Sequence, residues 1–408
     1  MIIFFKKEVK VRKLLSITAI LLIFTTGSYG AVSNLEIYRG MFLRETAHLR
    51  KTPLHEAVLR NDFNEVKKLV SSGFDVNVRD AKGMTPLDYA VALDESRIVR
   101  FLLDHGADLN LRDSQGYLPI HFAAENDAID SLKIIVEKGA DVNSRDRLGF
   151  TPLHRAVLNG NFDVVKYLIK KGADVNCKNS GGYQPIHYAS IKDYPEILNF
   201  LISAGANVNA KNFMGFTPLH FAVYKGNFDV VKILVNHGAN VNEKDVHGWT
   251  PLLKAIMKHR GKIAVFLIDN GANIFLGTAL GEKPIHFAAG EGEISIVKLL
   301  LQKGADINVR NKAGNTPLHY AVYMNKVNMV KFLLSNGADV NVQNKAGETP
   351  LYLAAKNGSY RIVKLLLESG ADANLKTKKG LTPLSIAAMK GYINIVKLLE
   401  NHDRAGNI

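Results

Sequence analysis

Cysteine is almost absent from this sequence, since Cys177 is the one such residue among 408. A single thiol cannot close an internal disulfide, so packing and hydrogen bonds must hold the fold together. We interpret Cys177 as a small residue tolerated in a loop. A free thiol available for a bridge between molecules is the alternative.

Catalytic and cofactor-binding motifs are missing as well. The sequence contains no phosphate-binding loop, nucleophile elbow, His-Glu-x-x-His segment or paired-cysteine site. It therefore predicts a protein that is not an enzyme and that holds no cofactor and no metal.

Long hydrophobic runs are confined to residues 1–30. Five cations precede an eleven-residue apolar run from Leu14 to Phe24, and small residues follow at Ser28 and Gly30. A membrane-spanning helix needs roughly 20 apolar residues, whereas this order is typical of a secretory signal peptide cleaved near Gly30. We expect an exported protein, periplasmic or secreted, with no membrane span after cleavage. An uncleaved anchor is the alternative.

Acidic residues are too few to balance the basic ones. The formal net charge is +14, and it falls to +10 when the five cations and Glu8 of the leader are removed. Basic proteins often bind nucleic acid, but an exported protein rarely meets it, and these lysines are spread along the chain. We expect no nucleic acid partner and favour an anionic surface, such as an envelope or an acidic protein.

Proline is scarce, yet eleven of the 12 prolines share one spacing. They recur every 33 residues without insertion or deletion, at positions 53, 86, 119, 152, 185, 218, 251, 284, 317, 350 and 383. A fixed period of this length indicates a solenoid of stacked units, each packed against its two neighbours. The unbroken register leaves no room for a domain boundary.

The residues around each proline predict the structure of one unit. Threonine before proline caps a first helix, and alanine at every position from Ala57 to Ala387 in steps of 33 marks a close approach of helices. A second helix ends at a glycine series that begins at Gly73, and another series from Gly83 falls in the turn before the next proline. The sequence therefore predicts an all-α solenoid of about eleven units, each a helix, a turn, a helix and a projecting finger.

These features identify a resemblance to the ankyrin repeat family. The Thr-Pro-Leu-His segment, the Gly-Ala-Asp-Val-Asn segment and the period of 33 carry it. The resemblance implies a curved stack whose concave face, made of fingers and first helices, binds proteins. We assign residues 1–30 to the signal peptide, 31–48 to an amino-terminal capping segment with Leu35, Tyr38 and Phe42, and 49–408 to the repeats. The last unit, with Glu400, serves as the carboxyl-terminal cap, and the protein is expected to be a monomer.

The candidate binding residues lie on the concave face that the resemblance implies. Two residues before the proline, units 3 to 7 carry five successive aromatics, and the finger tips nearby are apolar: Tyr117, Phe150, Tyr183, Phe216 and Trp249, with Leu148, Phe213, Met214, Val246 and Leu280 at the tips. Exposed side chains of this kind supply much interface energy. Packing of the rings against neighbouring units is an equally supported interpretation.

Units 9 to 11 place lysines at their finger tips instead: Lys312, Lys345, Lys378 and Lys379. The two sets predict a groove that is apolar in the middle and basic toward the carboxyl end, which would steer an acidic partner. A solvated lysine fringe is the alternative. The finger between units 7 and 8 differs, because it has Phe275 where other fingers have Asn, and Leu253 replaces the motif histidine. We interpret it as a drifted unit, with an apolar anchor for a partner as the alternative.

Two further series recur at the same spacing. Seven motif histidines lie one per layer, which is too far apart to share a metal ion, so we expect them to hydrogen-bond the turns of adjacent units. Nine units carry a cation on the second helix, which predicts a basic convex ridge: Lys67, Arg100, Lys133, Lys166, Lys232, Lys298, Lys331, Lys364 and Lys397. The leading hypothesis is an exported protein-binding scaffold. Attachment to an anionic envelope through the ridge is the alternative.

Overall fold

The structure is a computed structural model that describes residues 51–405. The predicted signal peptide and the amino-terminal capping segment lie outside this range. Within it, the 22 helices form eleven pairs, and each pair is numbered here as a unit by its proline. The finger that leads into a proline takes that unit's number. No strand occurs between residues 51 and 405.

The first helix of each unit spans seven or eight residues. These helices are α1 (Pro53–Leu59), α3 (Pro86–Ala92), α5 (Pro119–Glu125), α7 (Pro152–Asn159), α9 (Pro185–Lys192), α11 (Pro218–Lys225), α13 (Pro251–Met257), α15 (Pro284–Glu291), α17 (Pro317–Tyr323), α19 (Pro350–Lys356) and α21 (Pro383–Met389).

The second helices are nine residues long, except for the last. They are α2 (Phe63–Ser71), α4 (Ser96–Asp104), α6 (Ile129–Glu137), α8 (Phe162–Lys170), α10 (Pro195–Ser203), α12 (Phe228–Asn236), α14 (Gly261–Asp269), α16 (Ile294–Gln302), α18 (Val327–Ser335), α20 (Tyr360–Glu368) and α22 (Ile393–Ala405).

A Thr-Pro pair begins the first helix in eight of the eleven units, as the sequence predicts, whereas Leu118, Gln184 and Lys283 precede the proline in units 3, 5 and 8. In unit 6, the Thr217 hydroxyl accepts the amide hydrogen of His220, and His220 Nδ1 accepts the amide hydrogen of Thr217 at 3.1 Å. Pro218 takes the first helical position, where an N–H group would have no partner inside the helix. The cap satisfies amides that the helix start would otherwise leave buried and unbonded.

A left-handed residue separates the two helices of every unit. The residue that adopts positive φ recurs every 33 positions and is glycine, asparagine or aspartate in all units but one: Asn61, Asp94, Asp127, Gly160, Asp193, Gly226, His259, Gly292, Asn325, Gly358 and Gly391. These three residue types adopt this conformation most readily. Sequence reasoning missed this series because its residue type changes from unit to unit.

The predicted alanine contacts are confirmed. All eleven alanines are buried, and ten of them have no exposed surface. Neighbouring first helices pack more closely than neighbouring second helices do, because alanine presents only a methyl group at the contact. The first helices therefore lie on the more closely packed side of the stack, which is the side predicted to be concave.

Enlarging one of these alanines should destabilise the stack. Ala222→Leu adds three carbons to a fully buried contact, and overpacking of this kind costs about 1 to 3 kcal/mol of unfolding free energy. Urea denaturation followed by circular dichroism measures the loss. Ala313→Leu, at an exposed finger tip, is the matched control and should leave the midpoint in place. An unchanged midpoint for Ala222→Leu would contradict the close contact.

Candidate protein-binding surface

The fingers of units 2 to 11 are built around one polar residue six positions before the proline. In unit 4 this residue is Asp146, whose Oδ1 accepts the amide hydrogens of Leu148 at 2.8 Å and Phe150 at 2.9 Å. Successive fingers are joined at their tips, as where the Ser180 amide donates to the Leu148 carbonyl at 3.0 Å. This bonding holds the tip side chains outward at a regular spacing.

A row of cations that sequence reasoning missed also joins the fingers. Arg112 Nη1 donates to the Gly116 carbonyl of its own finger and to the Arg145 carbonyl of the next, both at 2.7 Å. Arg79, Arg145 and Arg310 make the same bond to the following finger. The 33-residue spacing of these arginines was the signal that could have revealed them. Since their guanidinium groups serve the backbone, we assign the row a structural role.

Three of the five aromatics before the prolines pack against rings of the following unit, whereas Tyr117 and Phe216 pack against Phe122 and Phe221 of their own units. Tyr117 is buried, and Phe150, Tyr183, Phe216 and Trp249 are half-buried. The partners are aromatics that follow the motif position on the first helices: Phe150 lies 5.6 Å from Tyr188, Tyr183 lies 5.6 Å from Phe221, and Trp249 lies 5.0 Å from Phe287, between ring centroids. These contacts match the packing interpretation, and the rings expose only part of their surface to a partner.

Two cations interrupt this aromatic row. Arg155 lies 4.5 Å from the ring centroid of Tyr117 and 4.4 Å from that of Phe150. It forms an ion pair with Asp146, whose side chain is 1% exposed. Three units further on, Lys254 lies over Phe216 at 4.5 Å and pairs with Asp245 at 2.8 Å. Both cations are held by internal contacts.

The apolar finger tips are more exposed than the packed rings. Leu148 is 62% exposed, Phe213 67%, Met214 47% and Leu280 58%. Val246 is 59% exposed between them. The structure therefore places a line of apolar tips along units 6 to 8, beyond the packed rings, and Leu148 of unit 4 is separated from it by the polar tip of unit 5.

The lysines at the finger tips of units 9 to 11 are also exposed. Lys312, Lys345, Lys378 and Lys379 all lie at finger tips. No carboxylate lies within ion-pair distance of them among residues 51–405. The basic end of the predicted groove is thus unneutralised by the described part of the chain.

Phe275 breaks a ladder of asparagines. Elsewhere this residue links two units: Asn242 Nδ2 donates to the Gly271 carbonyl at 3.0 Å, and its Oδ1 accepts the Asn273 amide hydrogen at 2.6 Å. Phe275 cannot make either bond, and its side chain is 53% exposed. It lines a shallow depression with Ile268 and Lys303.

The buried histidines bond adjacent units, as predicted. His220 Nε2 lies 3.1 Å from the Trp249 carbonyl, to which it donates because Nδ1 accepts the Thr217 amide hydrogen. Burial lowers the pKa of His121, His154, His187, His220 and His319 to about 4. Between residues 51 and 405 no group of ligand-type side chains is arranged to hold a metal ion.

Cys177 is buried, which argues against intermolecular bridging. Its side chain is 4% exposed, and Sγ lies 3.3 Å from the Thr151 hydroxyl. Burial raises the pKa of its thiol to about 11. The thiol is therefore both shielded and protonated, as fits a small residue in a loop.

The second-helix cations are exposed, apart from Lys232, which is half-buried. Several are paired with an acid within their own helix, including Lys133 with Asp130 at 3.0 Å and Lys232 with Asp229 at 2.7 Å. Such pairs reduce the positive charge of the ridge. No helix in the described part of the chain combines the length and apolar character needed to cross a membrane.

Comparison with known proteins yields one family. The sequence matches the family model described as "Ankyrin repeats (3 copies)" over residues 33–113, 54–146, 120–212, 186–278, 275–344 and 336–407. No curated protein matches the chain at a significant level. Among 627 matching chains of solved structure, the human ASB11 ankyrin repeat domain is 30% identical, and the match covers 53% of this chain and 98% of that chain with a TM-score of 0.49.

Proposed function

This chain belongs to the ankyrin repeat family, and we propose that it is an exported scaffold that binds a partner protein on its concave face. Ankyrin repeats generally act as protein-binding scaffolds. The finer assignment is that fingers and first helices hold the partner and that the chain itself carries out no reaction.

The exposed apolar finger tips carry this proposal. Phe213, Met214 and Leu280 each leave about half or more of the side chain in water, and contiguous exposed apolar surface is uncommon in a protein without a partner. Aromatic and methionine side chains are enriched in the cores of interfaces. The packed rings behind them, Phe216 and Trp249 among them, hold the fingers in place and offer a rigid base.

The leader-like composition of residues 1–30 supports export. Its short apolar run after a basic start is typical of a cleaved signal peptide. A chain with one buried cysteine is also compatible with an oxidising compartment, because it has no exposed thiol to cross-link.

Attachment to an anionic envelope through the ridge is the second candidate. The exposure of Lys298, Lys331 and Lys397 supports it, whereas the ion pairs within the second helices weaken it. Surface cations attract an anionic membrane only to the extent that their charge is not already balanced.

A crosslinking experiment tests the proposal. A photoreactive residue placed at position 214 or at position 298 samples the finger tips and the ridge in the extracytoplasmic fraction of the source cells. We expect one partner protein to crosslink at position 214, and Phe213→Ser, Met214→Ala and Leu280→Ser together to weaken its capture roughly 100-fold. Because that variant changes position 214, the photoreactive residue replaces Val246 in both chains when their capture is compared.

The matched control is Lys298→Ser, Lys331→Ser and Lys364→Ser, which should leave capture unchanged. Crosslinking of lipid or envelope material at position 298, with none at position 214, would instead support the second candidate. Recovery of the chain only from the cytoplasm would contradict export.

A further inference from the structure

A second exposed apolar row runs along the concave side in the carboxyl-terminal half. It occupies one register near the end of the first helices, at Tyr224, Met257, Tyr323 and Met389, which are 46%, 36%, 64% and 70% exposed. The buried Gly290 of unit 8 and Lys356 of unit 10 interrupt it. Met324, next in the chain, is 46% exposed. The same register in units 1 to 5 is buried or half-buried. The apolar row therefore begins at unit 6, where the apolar tips Phe213 and Met214 lie.

The row is continuous with the fingers. In unit 10 this register holds Lys356, whose Nζ lies 2.9 Å from Oε1 of Glu348. Glu348 stands at the base of a finger, two residues before Pro350. A side chain in the row thus reaches the finger base, so the row borders the fingers.

Unpaired lysines flank this surface. Lys225 and Lys390 lie beside the row in the next register and are exposed, and Lys258 Nζ lies 4.6 Å from the ring centroid of Tyr224. None of the three has a carboxylate within ion-pair distance in the described part of the chain. With the finger-tip lysines of units 9 to 11, they edge the apolar row on both sides.

The acidic groups of this surface are already engaged. Glu291 and Glu293 lie 3.1 and 2.7 Å from the ring nitrogens of His259. Glu348 is paired with Lys356, and Glu282 accepts the hydroxyl hydrogen of Tyr320. Hydrogen bonding leaves the negative charge of Glu282, Glu291 and Glu293 in place, but the seven lysines without an ion pair beside the row and at the finger tips outnumber these three carboxylates.

We infer that the segment bound along units 6 to 11 is an acidic stretch of polypeptide with aromatic or large aliphatic side chains. This inference rests on the proposed function and specifies the chemistry of its partner. Apolar side chains of the segment would cover Tyr224, Met257 and Tyr323, and its carboxylates would face Lys258, Lys312 and Lys345. Burying apolar area supplies affinity, while the complementary charge raises the association rate and selects the partner.

A protein fits this surface better than a nucleic acid does. Met257, Met324 and Leu280 form a flexible aliphatic surface, whereas single-stranded nucleic acid binds to planar aromatic platforms beside a continuous cationic groove. The exposed rings of the row, Tyr224 and Tyr323, stand three units apart and cannot stack successive bases. Phe216 and Trp249 are half-buried against other rings.

Selection from a displayed library of random peptides, about 16 residues long, tests the inference with the full chain as bait. We expect the enriched peptides to be rich in Asp and Glu and to contain Phe, Tyr, Leu or Met. Their affinity should fall about 10-fold or more when sodium chloride rises from about 50 to about 500 mM.

Three variants identify the surface that is used. The lysine variant carries Lys312→Ser, Lys345→Ser and Lys378→Ser, and the apolar variant carries Tyr224→Ser, Met257→Ser and Tyr323→Ser. Both should weaken peptide binding about 10-fold or more. The control removes three ridge charges through Lys298→Ser, Lys331→Ser and Lys364→Ser and should bind as the unaltered chain does. Circular dichroism establishes that each variant is folded, which these exposed positions allow.

The outcomes distinguish a failure of the acidic-segment inference from a failure of the proposed scaffold function. Neutral peptides that lose affinity in the apolar variant alone would overturn the acidic segment and leave the scaffold function standing. Peptides that bind all variants equally would contradict both the acidic segment and the scaffold function at this surface. A single-stranded oligonucleotide or an anionic phospholipid vesicle that binds more tightly than the peptides, and loses affinity in the lysine variant, would replace the peptide with another class of ligand.

Discussion

Acidification from about pH 7 to about pH 4 should unfold the repeat stack. Five buried histidines have their pKa lowered by burial to about 4, against about 6.5 in an unfolded chain. Between these values the unfolded chain binds more protons than the folded chain does, so the free energy of unfolding falls as the pH falls. Charging one of these histidines in the folded state costs about 3 kcal/mol.

The hydrogen bonds explain why charging is so unfavourable. In His154 and His220, Nδ1 accepts an amide hydrogen from the threonine that caps the helix, and Nε2 donates to a carbonyl of the next unit. A protonated ring has only donors, so the cap and the link between units could not both persist. Since each unit depends on its neighbours, the loss spreads along the stack.

Some carboxyl groups act in the opposite direction. Burial raises the pKa of Asp88 to about 7, so its contribution to stability is lost as the pH rises from about 4 to about 7. Burial also raises the pKa of Asp113 and Glu125. Five histidines with a large decrease outweigh these groups, and the net stability should rise with pH over this range.

Urea denaturation at several pH values, followed by circular dichroism, measures this dependence. We expect a slope that corresponds to the uptake of several protons on unfolding between about pH 6 and about pH 5. His220→Leu introduces the residue that unit 7 has naturally at this position, Leu253. It should reduce the slope of unfolding free energy against pH by the contribution of one histidine. Stability that stays constant from pH 7 to pH 4 would contradict the prediction.

Removing the Arg155 guanidinium should be the most damaging single change on the concave side. Arg155→Ala leaves the buried Asp146 carboxylate without its ion-pair partner and opens the space between Tyr117 and Phe150. Breaking a buried pair from one side costs about 3 to 5 kcal/mol. The shift of the urea denaturation midpoint measures it, and Lys254→Ala provides a second instance beside Asp245.

The chain itself supplies the control for this prediction. At the equivalent positions of unit 5, Asn179 accepts the finger amides with its side-chain oxygen and donates to the Tyr188 hydroxyl at 2.8 Å. The double variant Asp146→Asn with Arg155→Tyr should therefore recover most of the stability that Arg155→Ala loses. Equal destabilisation of the double variant and Arg155→Ala would show that the buried carboxylate is not the cause.

Much of the fold could be predicted from the sequence because its signals are local and repeated. Thr217 and Pro218 specify a helix start through their own backbone chemistry, and Gly238 marks the end of the second helix through its positive φ. The burial of Ala222 follows from its recurrence in every unit. The left-handed series that includes Asp193 and His259 escaped notice because several residue types satisfy one conformation.

The candidate site was harder to predict, since exposure depends on neighbours that are 33 residues away. Phe213 and Trp249 look alike as aromatics, but Phe213 is 67% exposed while Trp249 is half-buried against Phe287. The apolar row near the end of the first helices, which includes Tyr224 and Tyr323, was not predicted. The same register is buried or half-buried in units 1 to 5, so its exposure differs from unit to unit. The binding roles of these residues remain predictions.

The sequence by itself determined the period, the helix pairs and the family, because caps, turns and close contacts act within one unit or between identical positions of adjacent units. Only the tertiary structure decided which apolar side chains stay in water and which cations lack a partner. A ring or a lysine is covered or left open by whatever the next unit places beside it, as Arg155 covers Tyr117 and no carboxylate of the described residues meets Lys345. That pairing between layers is a property of the stack.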